Sequence, residues 1–548
     1  MNAREILLAR LRAQRFDVLI VGGGIVGAGI ARDAAMRGLR VALIEQGDFA
    51  SGTSSKTSKL IHWGLRYLEH GHVRLVFESL RERHILRTIA PASVWPLALL
   101  LPIYQHDVRP PWKVALGLSL YDLLAVGRGI PACTAGAAGR RRSRMVSARR
   151  ATSLEPGLRV DGLRAAGLYT DCQMDDARVC LLNILQAVSL GSVCGNYLRL
   201  RSFLKAKQRV CGGAVEDLLT GRSFDVQAET VINAAGPWVD QMRRLSDAAA
   251  RNRIAPTKGI HLILPRLTQE ALFVQGKADG RMLFLLPWGD GTLVGTTETA
   301  VREPLGPLSA SPDEVGYLLE EVNRILPGSH IDEEDVIATF AGARPLLAHA
   351  GAATSASREH AIEVDRWGLI SVMGGKFTTY RRMAQQAVDL IVARGRRKAD
   401  RCLTHEVSLL EAVHPVSLEH WQEVTRTIDP DLMNRLLSRY GAGTFHLLRL
   451  LYREPQLARP VCPHHEYIAA ELVYAFQGEL ACTITDVLAR RTRIAWSACR
   501  GLDALPDIAE LCYRYVGLSP EEVSEQAAQY RCFLDQSLAF RQRAACAA

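Results

Sequence analysis

No stretch of the 548-residue chain reaches the roughly 18–20 consecutive apolar residues that a membrane-spanning helix needs. The longest candidate, Trp95 to Ile103 (WPLALLLPI), is short and interrupted by prolines, so it reads as a buried or interfacial segment. The first fifteen residues carry charges throughout and lack the apolar core of a secretory signal. Twelve cysteines are scattered singly from Cys133 to Cys546 without one C-x-x-C pair. That spacing suits reduced thiols, mostly small core residues, and argues against a disulfide framework or a zinc site. The absences together predict an intracellular chain with no metal. Its length exceeds what one hydrophobic core organises, so two or three domains are expected.

What is present concentrates between Phe16 and Glu45, FDVLIVGGGIVGAGIARDAAMRGLRVALIE. Phe16 to Val21 is an apolar run of β-formers, long enough for one buried parallel strand. It leads into Gly22-Gly23-Gly24-Ile25-Val26-Gly27, which fits G-x-G-x-x-G. Gly22 permits a tight turn, Gly24 lets backbone approach a pyrophosphate, and Gly27 lets a helix pack closely on the strand. The helix that follows aims its free N–H groups at that phosphate. A second strand, Leu39 to Ile44, ends in Glu45, which with Gln46 is placed to meet the ribose of an adenosine. Five Ser/Thr hydroxyls follow within six positions, Thr53, Ser54, Ser55, Thr57 and Ser58, beside Lys56 and Lys59. Directly after the nucleotide motif, they read as donors along an anionic cofactor.

Farther on, residues 70–90 and Trp112 to Val126 carry amphipathic helical patterns, separated by a segment that Pro102, Pro110 and Pro111 break up. Arg140-Arg141-Arg142-Ser143-Arg144 and Arg149-Arg150 form a charge run whose composition alone suits a solvated loop. Three aspartates in Asp171 to Asp176 lack calcium-loop spacing and suit N-capping and salt bridging before a helix from Ala177 to about Leu190. Residues 222–232 alternate as a strand and deliver Asn233-Ala234-Ala235-Gly236-Pro237-Trp238. Short strands at His261 to Pro265, Met282 to Pro287 and Thr292 to Gly295 suit an antiparallel sheet forming a substrate-side wall. Leu369 to Val372 then runs into Gly374-Gly375-Lys376, a backbone amide cluster that opens a helix to about Arg394. From about 399 the glycine motifs stop and apolar residues recur at helical spacing. Asp486 with Arg490 and Arg491 reads there as a structural ion-pair set.

The ordered set GGGIVGAGIARDAAMRG, TSSKTSKLIHWGLRYLEH, DCQMDDAR, NAAGPWV, PTKGIH, LLPWGDG…VGTTE, AGARPL and MGGKFTTYRRMA closely resembles the FAD-dependent glycerol-3-phosphate dehydrogenases. The resemblance covers roughly residues 16 to 395, and more weakly the tail through HHEYIAAELVYAF and DVLARRTRIAW. It implies an α/β fold with a Rossmann-type FAD-binding domain of the glutathione-reductase/D-amino-acid-oxidase kind, an α+β substrate domain and a C-terminal helical domain. The boundaries expected are 16–90, 165–245 and 330–398 for the discontinuous FAD domain, 91–164 and 246–329 for the substrate or cap domain, and 399–548 for the helical domain. The cofactor implied is FAD. It would be met by Gly22, Gly23, Gly24, Gly27, Glu45, Gln46, Thr53, Ser54, Ser55, Lys59, His62, Ala235, Gly236, Trp238, Gly374, Gly375, Lys376 and Thr378.

The implied reaction oxidises sn-glycerol 3-phosphate to dihydroxyacetone phosphate, with electrons passed to a membrane quinone. It also implies peripheral attachment to an anionic membrane at the inner face of the cell membrane, which turns the arginine run into a headgroup patch. Oxidising a secondary alcohol needs a hydride acceptor, a proton acceptor and cations for the phosphate. The resemblance carries the last role to Arg66, Tyr67, Arg344, Arg358 and Lys376. His62 and His261 are the candidate bases; His261 is preferred, with Arg344 polarising the oxygen and Lys376 as a point charge. Two departures stand out: Trp63 replaces the first of two glycines after the first-loop histidine, and Lys258-Gly259-Ile260-His261 replaces K-G-S-H. An oxidase that hands electrons to oxygen, or a related flavoenzyme with altered substrate, is the nearest alternative. An amine- or amino-acid-oxidising enzyme has no need of so many cations. The net charge of +10 favours an anionic partner, but the arginine run lacks interleaved aromatics and no nucleic-acid module is visible, so no nucleic acid is expected. A homodimer is left open.

Overall fold

Arg15–Val21 (β1) is buried at every position after the first, as a central strand must be when helices cover both faces of its sheet. In the computed structural model, which describes residues 3–62, 73–105, 107–126, 143–301, 305–348, 359–395, 398–409 and 428–541, β1 is the centre of a first sheet. It pairs in parallel with Val41–Ile44 (β2) on one side and with Ser223–Asn233 on the other. The strand order is 360–364, 370–374, 223–233, β1, β2, 193–195, with the ribbon 198–206 and 209–217 folded onto the 223–233 strand. Helix Ile25–Met36 (α1) connects β1 to β2. Its Gly29 is where the helix Tyr380–Gly395 closes in: a Cβ there would lie 2.8 Å from the Tyr380 ring. The parallel register brings the carboxyl ends of β1, β2, 223–233 and 370–374 to one edge. In such sheets, that edge is where ligands bind.

The second sheet has ten strands, ordered 299–300, 257–265, 291–295, 282–288, 271–275, 94–104, 163–174 and 60–61 along its main path. Thr257–Pro265 (β3) is its pivot, pairing with Gly291–Gly295 on one side and with Ala338–Arg344 (β4) on the other. The antiparallel wall expected over 261–295 is present. The expected boundaries need correction, because they place strands 60–61, 163–174 and 338–344 in the FAD domain, whereas hydrogen bonding joins all three to the second sheet. Periodicity marks a strand but does not choose its neighbour.

The apolar segment Val94–Tyr104 is a long strand paired with Leu163–Met174. Helix Pro111–Val126 (α2) lies over that sheet, with Val114 and Leu118 packed where Gly167 leaves room for them. The expected amphipathic pattern is not what the helix carries, because its other face exposes Trp112, Leu116, Leu120 and Leu123. No helix among the described residues is long and apolar enough to cross a membrane.

The tail from 428 is helical and has its own core, built on residues such as Leu436, Leu447, Leu472, Ile484 and Ile508. The segment before it is not part of that core. Leu409 packs with the first domain, and Arg32 of α1 donates to the carbonyls of Thr404 and Val407, so the expected boundary at 399 falls too early. Asp48, just past β2, is gripped by Arg490 at 2.6 Å and Arg491 at 2.6 Å, while Arg490 also reaches Asp486 at 2.6 Å. Burial alone would push the Asp48 carboxyl up, but the two guanidiniums hold it down to about 2. The ion-pair set read from the sequence is therefore a buried clamp between the helical tail and the nucleotide loop. The aspartate turn is also structural: Asp175 accepts from Arg178 N as an N-cap, and Asp171 pairs with Arg83 at 2.7 Å.

Candidate active site

A cavity of about 660 Å³ opens at the carboxyl edge of the first sheet and continues under the second. Its floor is the glycine turn. Gly22 sits at φ +114°, and a Cβ there would lie 2.6 Å from the Ala234 carbonyl oxygen. A Cβ on Gly27 would lie 1.9 Å from the Gly22 carbonyl oxygen, so both positions need glycine for the turn and the helix to coexist. Gly24 lines the cavity, where a Cβ would meet only the Ser54 hydroxyl, at 3.1 Å, leaving backbone exposed to a ligand. Gly374 and Gly375 form a second bare turn, at φ +73° and +86°. These two cradles, at the ends of strands separated only by 223–233, fit the pyrophosphate and the polar ring edge of a dinucleotide such as FAD.

Of the residues expected to meet a cofactor, Gly22, Gly24, Glu45, Gln46, Thr53, Ser54, His62, Ala235, Gly236, Trp238, Gly374, Gly375, Lys376 and Thr378 line the cavity. Glu45 accepts from Gly23 N at 2.7 Å and Gly47 N at 2.8 Å. Burial pushes its carboxyl up, and those amides partly counter the shift. Ser54 accepts from Ile25 N at 2.9 Å, capping α1, and Thr53 donates to the Ala343 carbonyl at 2.6 Å, tying the loop to β4.

Lys59, Ser55, Gly23 and Gly27 are not among the lining residues. Lys59 is a correction: its amine is buried against Asp176 at 2.6 Å and the Ser55 carbonyl at 2.6 Å, and it stabilises the loop from behind. Gly23 and Gly27 serve the turn rather than the ligand. Of the two lysines in this loop, the one that lines the cavity is Lys56. Burial, with help from Arg490, pushes its amine down to about 8. Arg66, Tyr67, Arg358 and Trp63 lie outside the described residues.

The second sheet supplies the reactive side. His261 on β3 and Arg344 at the end of β4 both line the cavity. Arg344 Nη2 donates to Thr296 Oγ1 at 2.8 Å, and the guanidinium also reaches the Thr297 carbonyl at 3.3 Å. His261 Nε2 lies 2.9 Å from the Ser58 hydroxyl, its ring stacks on Phe340 at 5.0 Å, and its Nδ1 is buried without a hydrogen-bond partner. Burial first, then the charges of Arg344 and Lys59, lower its pKa well below the usual 6.5, so the imidazole is neutral. Ser58, one of the hydroxyls read from the sequence as donors toward the cofactor, lines the cavity beside the imidazole. Among the described lining residues, Lys56, Arg199, Arg344 and Lys376 face a single carboxylate, Glu45. The cavity is built for an anion.

Residues 17–381 match the family model of FAD dependent oxidoreductases, and residues 402–523 match the C-terminal domain of alpha-glycerophosphate oxidase. Glycerol-3-phosphate dehydrogenase 2 of Mycobacterium bovis is 35% identical over 538 residues, covering 96% of this chain and 89% of the relative. The glycerol-3-phosphate dehydrogenase of Synechocystis is 35% identical over 545 residues, covering 95% and 97%. Among solved structures, the glycerol-3-phosphate dehydrogenase from Bacillus halodurans complexed with FAD superposes with a TM-score of 0.78 at 27% identity, over 98% of this chain and 97% of that one.

Proposed function

This chain belongs to the FAD-dependent glycerol-3-phosphate dehydrogenases, and from that premise we propose that it oxidises sn-glycerol 3-phosphate to dihydroxyacetone phosphate and delivers the electrons to a membrane quinone. The observation that carries the reading is one continuous cavity with the glycine cradles and Lys376 on the side of the first sheet and His261 and Arg344 on the side of the second. FAD bound on the cradles supplies the two-electron acceptor. Arg344, aimed by Thr296 and Thr297, holds the substrate oxygen that becomes the ketone, and Lys376 adds charge for the phosphate. The hydroxyl proton passes through Ser58 Oγ to Nε2 of His261, which is neutral and so able to accept it.

The membrane part of the proposal is supported by α2. Its face bearing Trp112, Leu116, Leu120 and Leu123 is exposed, and strand Arg144–Ser147 packs beside it with exposed Arg144, followed by exposed Arg149 and Arg150. An apolar stripe next to basic side chains suits peripheral binding to an anionic bilayer. The deciding experiment is anaerobic mixing of the purified protein with glycerol 3-phosphate, with glycerol and lactate as controls. Loss of flavin absorbance with glycerol 3-phosphate alone is expected. Equal bleaching by lactate, or none by glycerol 3-phosphate, would remove the substrate assignment. Because the tail matches an oxidase domain, hydrogen peroxide yield is compared with quinone reduction in the same preparation.

A further inference from the structure

The helical tail brings together Cys462, His465 and Cys499, whose Sγ, Nε2 and Sγ atoms all lie within 4.8 Å of one another. Cys462 Sγ and Cys499 Sγ are 3.8 Å apart, and Cys499 Sγ is 3.5 Å from His465 Nε2. Bonds of about 2.3 Å to sulfur and about 2.0–2.1 Å to nitrogen, at tetrahedral angles, require separations of about 3.8 Å and about 3.5 Å. Two of the three edges have these lengths, and the third lies within 4.8 Å; a disulfide would need the sulfurs to approach to about 2.05 Å.

The surroundings are those of thiolate ligands. His464 N donates to Cys462 Sγ at 3.4 Å and Gly501 N donates to Cys499 Sγ at 3.4 Å, each from two residues on. Paired N–H···S bonds of this kind stabilise negative sulfur and orient it. Ser497 Oγ lies 2.8 Å from His465 Nε2 and donates to the Ile494 carbonyl at 2.7 Å, so in the ion-free protein Nε2–H donates to it and metal binding moves that proton to Nδ1. Asp503 adds a carboxylate: Oδ1 accepts from Ala504 N at 2.9 Å, and Oδ2 lies 3.2 Å from Cys462 Sγ.

We propose that Cys462, Cys499 and His465 bind a zinc ion as its three protein ligands. Zinc is favoured by two thiolates and one imidazole. Binding displaces the two thiol protons to solvent, leaves the oxidation state of every atom unchanged and uses the Nδ1-protonated tautomer of His465. The ion acts structurally. It staples loop 459–468 to loop 494–504, which in sequence are held apart by the helix Ala469–Gln477 and the turns after it. The second loop carries Trp496, whose ring meets Phe340 at 5.7 Å behind His261, so the staple fixes the tail against the active-site wall. The spacing C-P-H-H followed 37 residues after the first cysteine by C-R-G-L-D resembles no metal motif, which is why the sequence alone points to no metal.

The test uses the full chain, purified with FAD, dialysed against a weak chelator and analysed for metals. About one zinc per chain is expected, lost in Cys462→Ser and Cys499→Ser and kept in Cys532→Ser, whose thiol is exposed elsewhere. Cobalt loaded in its place should show the intense visible bands of a tetrahedral centre and thiolate charge transfer. Should the serine variants fail to fold, zinc-dependent protection of Cys462 and Cys499 against alkylation in the unmutated protein, read by mass spectrometry, replaces them. Absence of retained zinc together with an octahedral cobalt spectrum would overturn the proposal. So would zinc retained in both serine variants at the level of the unmutated protein, a Cys462–Cys499 disulfide that persists in zinc buffer, or alkylation indifferent to zinc.

Discussion

A methyl group on Gly259 would sit 2.3 Å from Nη2 of Arg344 and 2.6 Å from Thr296 Oγ1. Gly259 is opposite Gly342 in the β3–β4 pair, and its bare position leaves room for the guanidinium, while that of Gly342 leaves room for Lys56. Because the group in the way is the end of a flexible side chain, Gly259→Ala should fold and retain FAD while displacing Arg344. A tenfold or greater fall in kcat/KM for glycerol 3-phosphate, about 1.4 kcal/mol, is expected with unchanged flavin content. Wild-type kinetics in this variant would show that Arg344 need not occupy that place.

Removing the guanidinium itself is the harder test. Arg344→Ala loses at least one charge-assisted hydrogen bond to the substrate, about 1.5–3 kcal/mol, or roughly ten- to hundredfold in catalytic efficiency. Steady-state kinetics with glycerol 3-phosphate decide it, and an unaltered kcat/KM takes Arg344 out of the mechanism.

Lys56 gives a proton signature. With its amine at about 8, it is mostly neutral in the cofactor-free protein at about pH 9. The pyrophosphate of FAD restores the charged form, so binding at that pH should take up a proton from solvent. Calorimetric titrations in two buffers of different ionisation enthalpy measure the uptake, which Lys56→Met should abolish. Identical heats in both buffers would place Lys56 away from the phosphates.

His261 makes stability depend on acid. The folded protein keeps the ring neutral while the unfolded chain protonates its histidine below about pH 6.5. Stability is therefore full above that value and falls as the pH drops, by at most about 2 kcal/mol at pH 5 from this group. Denaturant midpoints at pH 7 and pH 5 should differ less in His261→Gln than in the unmutated protein. For the same reason kcat/KM should show no acid limb near pH 6.5, and one there would assign the base elsewhere.

The exposed face of α2 is predicted to hold lipid. Burying each large apolar side chain contributes about 1.5–3 kcal/mol, so Trp112→Ser with Leu116→Ser and Leu123→Ser should lower partitioning onto anionic vesicles at least tenfold. Activity with a soluble dye should not change, because these side chains point away from the cavity. Vesicle co-sedimentation that is unaltered by the triple substitution would shift attachment to another surface.

The cofactor half of the site was legible in the chain because its geometry is local. Gly22, Gly24, Gly27 and Glu45 are set within one strand–turn–helix–strand unit, and backbone sterics dictate glycine there whatever the rest of the protein does. The tail's helices were legible from their apolar spacing alone. Strand membership was not: 60–61, 163–174 and 338–344 alternate like any other strands, and only pairing assigns them to the second sheet.

What folding decided depends on partners far away in the chain. Two lysines three residues apart read alike, yet Asp176, 117 residues downstream, draws Lys59 out of the cavity and leaves Lys56 lining it. His261 meets Ser58, and Cys462 meets Cys499, for the same reason. Short-range backbone rules fix a turn from sequence, whereas a side chain's charge state and partner are set by burial and by whichever group the tertiary packing brings within hydrogen-bond reach.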